Sequence, residues 1–124
     1  MNVRPVYLDL FRIRLPLPGL ISFAHRISGV VLFLTMPFAL DVLERSLDGP
    51  VGFAMAHQLV MSFWLAPFIL LITWSLCHHM LAGVRFLLMD IDVGLGKRQS
   101  NQSAAWVGWG ALLLTLLLML EFYL

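Results

Sequence analysis

Long apolar runs separated by short polar segments dominate this chain. Three runs, at about 18–47, 61–89 and 104–124, hold few or no charged residues over most of their length. A transmembrane helix needs about 20 predominantly apolar residues, so each run is long enough to cross a bilayer. The pattern predicts an all-α membrane protein in which residues 1–124 form one domain with three transmembrane helices.

Prolines and glycines mark where the predicted helices begin, bend and end. Pro18 suits the first turn of the first helix, and Pro37 is expected to kink that helix. Residues 47–50 read Leu-Asp-Gly-Pro, which predicts a turn, and 51–60 resemble a short amphipathic lead-in to the second helix. The segment 90–103 is polar and forms the loop before the third helix.

Composition excludes several classes of protein. The chain is 60% hydrophobic and 12% charged, which excludes a soluble binding module. A net charge of +1 without a basic run gives no sign of a nucleic-acid partner. The single cysteine, Cys77, permits neither an internal disulfide nor a cysteine-ligated iron–sulfur cluster. The first apolar run is too long for a cleaved signal sequence, so the first helix is expected to be retained.

Basic residues cluster on one predicted side of the membrane. The N-terminal segment and the 90–103 loop, with the helix ends next to them, hold most of the Lys and Arg, whereas the first loop region holds only Arg45. The positive-inside rule therefore predicts a cytoplasmic N-terminus and a C-terminus outside. No organelle presequence is visible, which favours a bacterial inner membrane, with the C-terminus in the periplasm.

Two adjacent histidines, His78 and His79, interrupt the second apolar run. Ionisable residues at membrane depth usually have a function, and an imidazole in a dry site suits an axial ligand of haem. Neighbouring residues on a helix point about 100° apart, so only one of the two can face a given ligand. The spacing favours His79, because Gly83 clears space one turn further along, and His78 is the second choice. The alternative is that these histidines form hydrogen bonds between helices.

The predicted topology brings distant polar residues to one depth. The first helix begins, and the second ends, on the cytoplasmic side, so Ser22, His25 and Arg26 are expected near Arg85 and His79. The cationic side chains His25, Arg26 and Arg85 suit the propionates of a haem. Ser22 and Arg26, one turn apart, suit the carbonyl oxygens of a quinone. The alternative is that His25 and Arg26 reach toward the interface as basic residues at helix ends commonly do.

Three motifs indicate a family. Arg4–Leu10 is similar to Arg-Pro-x-x-Leu-Asp-Leu, Ser22–Gly29 matches Ser-x-x-His-Arg-x-Ser/Thr-Gly, and His79–Asp90 matches His-x-x-x-Gly-Ile/Val-Arg-x-x-x-Met-Asp. With these motifs in this order, the chain resembles the cytochrome b membrane-anchor subunits of succinate dehydrogenase, respiratory complex II. The duplicated His78 departs from the pattern, as does Phe86, which stands where some relatives carry a further histidine.

The resemblance implies a subunit that performs no succinate chemistry itself. Such subunits anchor a flavoprotein subunit and an iron–sulfur subunit, share one haem b with a second small anchor subunit, and form part of the ubiquinone site. By position, His79 would be one axial ligand, and the partner anchor would supply the other. His25 and Arg26 would contact the propionates, Ser22 and Arg26 would line the quinone pocket, and Asp90 would assist proton delivery.

Two other functions fit parts of the pattern. The anchor of a fumarate reductase would run the reaction in reverse, although a two-haem version needs four axial ligands and the chain has only four histidines. A non-redox three-helix membrane assembly protein would leave His79 as a contact between helices and would carry no chromophore.

Overall fold

The computed structural model describes residues 14–124, so the Arg4–Leu10 motif lies outside the described part of the chain. Every regular element in that part is helical. Three of the helices are long and apolar enough to cross a membrane, which confirms an all-α, multi-pass membrane protein. The helices are α1 (Leu17–Leu47), α2 (Gly49–Val60), α3 (Ala66–Asp90) and α4 (Lys97–Tyr123).

Two helix starts differ from the sequence prediction. Helix α3 begins at Ala66 rather than near 61, because Pro67 lacks an N–H and belongs in the first turn of a helix. A separate turn at 61–65 precedes the helix. Helix α4 begins at Lys97 rather than near 104. Its first two turns are polar, and a hydropathy pattern does not distinguish a polar helical turn from a loop.

The predicted lead-in to the second membrane helix is a helix of its own, α2, folded back at the end of α1. Gly49 has φ 76°, a conformation that glycine adopts without strain, and it allows the chain to reverse directly after α1. A Cβ at Gly52 would collide with the carbonyl oxygen of Arg45. The close approach of α2 to the end of α1 therefore requires glycine at this position.

The three long helices run up, down and up. The rings of Phe38 and Phe68 meet at 5.5 Å between centroids, and those of His25 and Phe86 at 5.2 Å, so α1 and α3 are antiparallel. The start of α4 follows the end of α3 after a short turn. The N-terminal end of α1, the C-terminal end of α3 and the N-terminal end of α4 consequently share one end of the bundle.

Small and polar side chains fill the inside of the bundle, while large apolar ones point outward. Phe33 is 71% exposed and Leu34 is 68% exposed, as expected of side chains that contact lipid. The buried hydroxyls of Ser28, Thr35 and Thr115 donate to carbonyls of their own helices, as Thr115 does to the Ala111 carbonyl at 2.7 Å. Membrane helices pack in this way because small residues let backbones approach closely. The buried residues include Ser28, Ser75, Cys77, Ala82, Ala104 and Ala111.

Candidate functional site

The two adjacent histidines of α3 face different neighbours. His79 is half-buried and contacts α1. His78 is only 2% exposed, and its ring lies near the backbone of α1 and beside Trp74 of its own helix. The 100° step along a helix therefore gives two neighbouring imidazoles different surroundings.

Two oxygen atoms of α1 contact one nitrogen of His79. Nδ1 lies 3.1 Å from the carbonyl oxygen of His25 and 3.3 Å from the hydroxyl oxygen of Ser28. A carbonyl oxygen can only accept, so Nδ1 carries the proton in this arrangement. Ser28 itself donates to the same His25 carbonyl at 2.8 Å, which turns its lone pairs toward Nδ1. The other nitrogen of His79, Nε2, therefore keeps its lone pair and has no hydrogen-bond partner within residues 14–124.

His25 packs flat against His79. The two ring centroids are 4.0 Å apart with 12° between the planes, and Phe86 meets the His25 ring edge-on at 5.2 Å. Glycines make this arrangement possible on both helices. A Cβ at Gly29 would lie 3.0 Å from Cε1 of His79, and a Cβ at Gly83 would lie 3.7 Å from Nε2 of His25. The glycine predicted to clear space beside His79 thus faces the His25 ring.

His78 has weaker polar contacts. Its Nε2 is 3.5 Å from the carbonyl oxygen of Ile21, at the upper limit for a hydrogen bond. Its ring stacks on Trp74 with centroids 5.1 Å apart. These contacts are typical of an imidazole that packs within the chain's own bundle.

Arg85 reaches α4. Its Nε donates to the hydroxyl of Ser103 at 2.9 Å, and its Nη2 donates to the hydroxyl and the carbonyl of Ser100 at 3.0 and 3.2 Å. The guanidinium carbon also lies 5.4 Å from the centre of the Phe86 ring. Arg85, predicted at the site by sequence, thus packs on Phe86, which meets the His25 ring, and its hydrogen bonds go to the polar start of α4.

The remaining predicted residues lie at the same end of the bundle. Ser22 is half-buried and Arg26 is exposed, one turn apart on α1, and Asp90 is the exposed last residue of α3. Within the described residues, none of the three has a hydrogen bond to the His25–His79 pair. The structure thus brings together His25, His79 and Gly83, and the three polar side chains lie at the same end of the bundle without joining that cluster.

Sequence reasoning gave no role to Ser28 or Gly29, although both contact His79. The available signal was spacing, because they follow His25 by three and four residues and share its side of α1. What the sequence did not show was that the His79 ring enters the space above Gly29.

Residues 2–118 match the family described as the succinate dehydrogenase/fumarate reductase transmembrane subunit. The chain belongs to this family. The predicted kinship with the cytochrome b membrane-anchor subunits of succinate dehydrogenase is thereby confirmed, and three membrane-crossing helices agree with it.

Similar proteins come from several bacteria. The succinate dehydrogenase cytochrome b556 subunit of Paracoccus denitrificans is 33% identical over 97% of this chain and 92% of the relative. That of Coxiella burnetii is 37% identical over 71% of each protein, and that of Rickettsia typhi is 27% identical over 94% and 91%. The likeness to the first and third relatives covers nearly the full length, so it includes both helices that form the His25–His79 pair.

Proposed function

We propose that this chain is the membrane-anchor cytochrome b subunit of a succinate dehydrogenase. In this function it holds one haem b together with a second small membrane-anchor subunit, forms part of the ubiquinone site, and passes electrons from the iron–sulfur subunit to quinone. The observation that carries the proposal is the His79 ring, whose Nδ1 is hydrogen-bonded while its Nε2 has no partner among the described residues.

His79 fits an axial ligand of haem iron. Histidines that bind metal usually donate their other ring N–H to a carbonyl or a carboxylate, which fixes the tautomer and the ring orientation. The Nδ1 contact with the His25 carbonyl has this form. A bound haem would supply a one-electron carrier. The chain would orient the haem and set the polarity of its surroundings. Arg26, which is exposed, would offer a cation to the haem propionates, with His25 beside it. Gly83 would act indirectly, by giving the His25 ring the space to lie against His79.

The quinone part of the proposal rests on Ser22 and Arg26. Their hydroxyl and guanidinium groups are hydrogen-bond donors one turn apart, and the side chain of Arg26 is exposed. A quinone site needs a few placed donors in otherwise apolar surroundings, which neighbouring subunits would complete. Asp90, which is exposed at the end of α3, would assist proton delivery to this site.

The proposed orientation follows from the charges at the shared end of the bundle. Arg14, Lys97 and Arg98 lie there, whereas Arg45 at the other end is paired with Asp41 at 2.8 Å. The positive-inside rule makes the shared end cytoplasmic and the C-terminus periplasmic in a bacterial inner membrane. The flavoprotein and iron–sulfur subunits would then dock at the end that carries Ser22 and Arg26.

A reduced-minus-oxidised visible spectrum of the purified complex tests the proposal. The complex is isolated from its own membranes through a tag on this chain, and flavin and iron are measured in the same sample. We expect a b-type haem spectrum, with flavin and iron–sulfur protein in fixed proportion to it. A purified complex without haem, flavin and iron–sulfur protein would favour the non-redox assembly protein instead.

The quinone assignment has a separate test. We expect Ser22→Ala and Arg26→Ala to raise the KM for ubiquinone while the haem spectrum stays unchanged. Ser46→Ala is the control, because Ser46 lies at the opposite end of α1 and its hydroxyl bonds to the Leu43 carbonyl. An unchanged KM in both site variants would remove these residues from the quinone pocket.

The fumarate reductase alternative remains within the same family description. The names of the similar proteins favour succinate dehydrogenase, since each is a succinate dehydrogenase cytochrome b556 subunit. A two-haem chain would need all four histidines as ligands. His57 lies on α2, which follows the end of α1 opposite to His25, so the four do not form two pairs. Relative rates of succinate oxidation and fumarate reduction by the purified complex distinguish the two enzymes.

A further inference from the structure

We propose that Ser28 and Gly29 are positioning residues that set the orientation and the electron donation of the His79 ring. This inference rests on the proposed function, in which His79 binds haem iron. It concerns two neighbouring residues of α1 that neither donate to a quinone nor bind a metal. Their effect on the haem would pass entirely through His79.

Ser28 is placed to share the proton of Nδ1. It is fully buried, its hydroxyl donates to the His25 carbonyl at 2.8 Å, and its oxygen lies 3.3 Å from Nδ1. Because the hydroxyl proton is engaged by the carbonyl, the lone pairs of the same oxygen face the Nδ1–H. The Nδ1–H thus lies between two acceptors, the carbonyl of His25 and the hydroxyl of Ser28.

Gly29 fixes how close the His79 ring comes to α1. A Cβ at this position would lie 3.0 Å from Cε1 and 3.4 Å from Nδ1 of His79. The contact is tighter than van der Waals packing normally allows, so the ring would have to move away from the His25 carbonyl. Glycine therefore keeps the ring within hydrogen-bond distance of both acceptors.

These contacts have an electronic consequence for a bound metal. Acceptors at the outer nitrogen of a ligating histidine make the ring a stronger donor. A stronger donor stabilises the oxidised iron more than the reduced iron, and this lowers the midpoint potential of the haem. Removing the Ser28 oxygen should therefore raise the potential without removing the ligand.

The chain contains a matched control for Ser28. Ser75 is also a fully buried serine, on α3 one turn before His79, and its hydroxyl has no hydrogen-bond partner within the described residues. Serine-to-alanine changes at the two positions remove the same atom from equally buried sites. Only the change at Ser28 removes an acceptor from Nδ1 of His79.

The experiment is a redox titration of the haem in the whole purified complex, for wild type, Ser28→Ala and Ser75→Ala. The electron paramagnetic resonance spectrum of the oxidised haem is recorded on the same samples, because its g values report the ligand field. We expect Ser28→Ala to titrate at a higher midpoint potential with shifted g values, and Ser75→Ala to coincide with wild type. If Ser28→Ala does not load haem, Ser28→Cys takes its place. The thiol fills the space that alanine leaves empty but accepts only weakly, so a smaller shift in the same direction is expected.

Two results would overturn the inference. One is a Ser28→Ala or Ser28→Cys complex with its full haem content whose midpoint potential and g values equal those of wild type. The other is an equal shift in Ser75→Ala, which would make the effect a general one of buried hydroxyls. A wild-type complex without haem b is a different outcome, since it would contradict the proposed function before any variant is compared.

Discussion

Helix α3 carries an imidazole on each of two sides, and the two imidazoles have different surroundings. On one side, His79 meets two oxygen atoms of α1, stacks on a second imidazole and leaves Nε2 without a partner in the described residues. On the other, His78 is almost fully buried, has one long contact to the Ile21 carbonyl and stacks on Trp74. The comparison shows that the more deeply buried imidazole is not the one better suited to bind a metal. His79 is better suited, because its tautomer is fixed and its other nitrogen has no partner within the described residues.

The two sides also differ in how their glycines and serines are used. Gly29 and Ser28 contact the His79 ring directly. Gly108, on the side of His78, faces the flexible end of the Ile21 side chain at an ordinary 3.6 Å. The His79 side is therefore expected to respond sharply to small substitutions, and the His78 side is expected to tolerate them.

Replacing each histidine by leucine gives the largest expected difference. Under the proposed function, His79→Leu should abolish the haem signal in the reduced-minus-oxidised spectrum, because the iron would lose a ligand that a hydrocarbon cannot replace. His78→Leu should keep the signal, since it replaces a packed ring by a packed aliphatic side chain and gives up only a long hydrogen bond. Loss of haem in His78→Leu with haem retained in His79→Leu would reverse the assignment.

Arg85→Met should have the next largest effect, on stability rather than on the haem ligand. Arg85 is buried and donates three hydrogen bonds to Ser100 and Ser103. A hydrogen bond of a charged group contributes about 1.5–3 kcal/mol net to stability, so a loss of about 2 kcal/mol or more is expected. The measurement is the midpoint temperature of the complex in detergent together with the rate of proteolysis in the loop before α4.

The control for this prediction is Arg98→Met, which changes an exposed arginine in the same part of α4. We expect its midpoint temperature to stay close to that of wild type. Equal stability of the two variants would mean that the contacts of Arg85 do not hold α4.

Gly29→Ala should lower haem content more than Gly108→Ala does. The new methyl group at 29 forces the His79 ring to move, and overpacking of this kind costs about 1–3 kcal/mol. The methyl group at 108 meets a side chain that can rotate away. Haem-to-protein ratios of the two purified complexes measure the difference, and equal ratios would show that the close approach at Gly29 is not needed for haem binding.

Ser75→Ala should have the smallest effect. A buried hydroxyl without a partner gives no net stabilisation, so its removal should change the free energy of unfolding by less than about 0.5 kcal/mol or stabilise the fold slightly. Thermal unfolding of the complex in detergent measures this change. A loss of stability comparable to that of Arg85→Met would reveal a bonding partner in the assembled complex.

The sequence predicted the three membrane helices because hydropathy is a local pattern that marks membrane spans. The position of Gly83 one turn after His79 favoured that histidine over His78 as the ligand, and this assignment stays a prediction, since Gly83 faces the ring of His25. Helix ends were predicted less well. The polar turns at the start of α4 are helical although their composition is that of a loop, and Pro67 rather than the apolar run sets the start of α3.

The contacts of Arg85 and Ser28 could not be predicted, since they depend on the rotation of one helix against another. An arginine near a helix end suits a propionate as well as a serine hydroxyl, and spacing does not choose between them. In the sequence, Ser28 is one small residue within a motif. Only the antiparallel packing of α1 on α3 places its oxygen 3.3 Å from Nδ1 of His79.

The most direct test of different roles for the two histidines is rescue by free imidazole. His79→Gly and His78→Gly are each purified as the whole complex, and the reduced-minus-oxidised haem spectrum is recorded with and without added imidazole. We expect His79→Gly to lack the b-type spectrum and to regain it with imidazole, and His78→Gly to show the spectrum in both conditions. A b-type spectrum in His79→Gly without imidazole would contradict the assignment of His79 as the axial ligand.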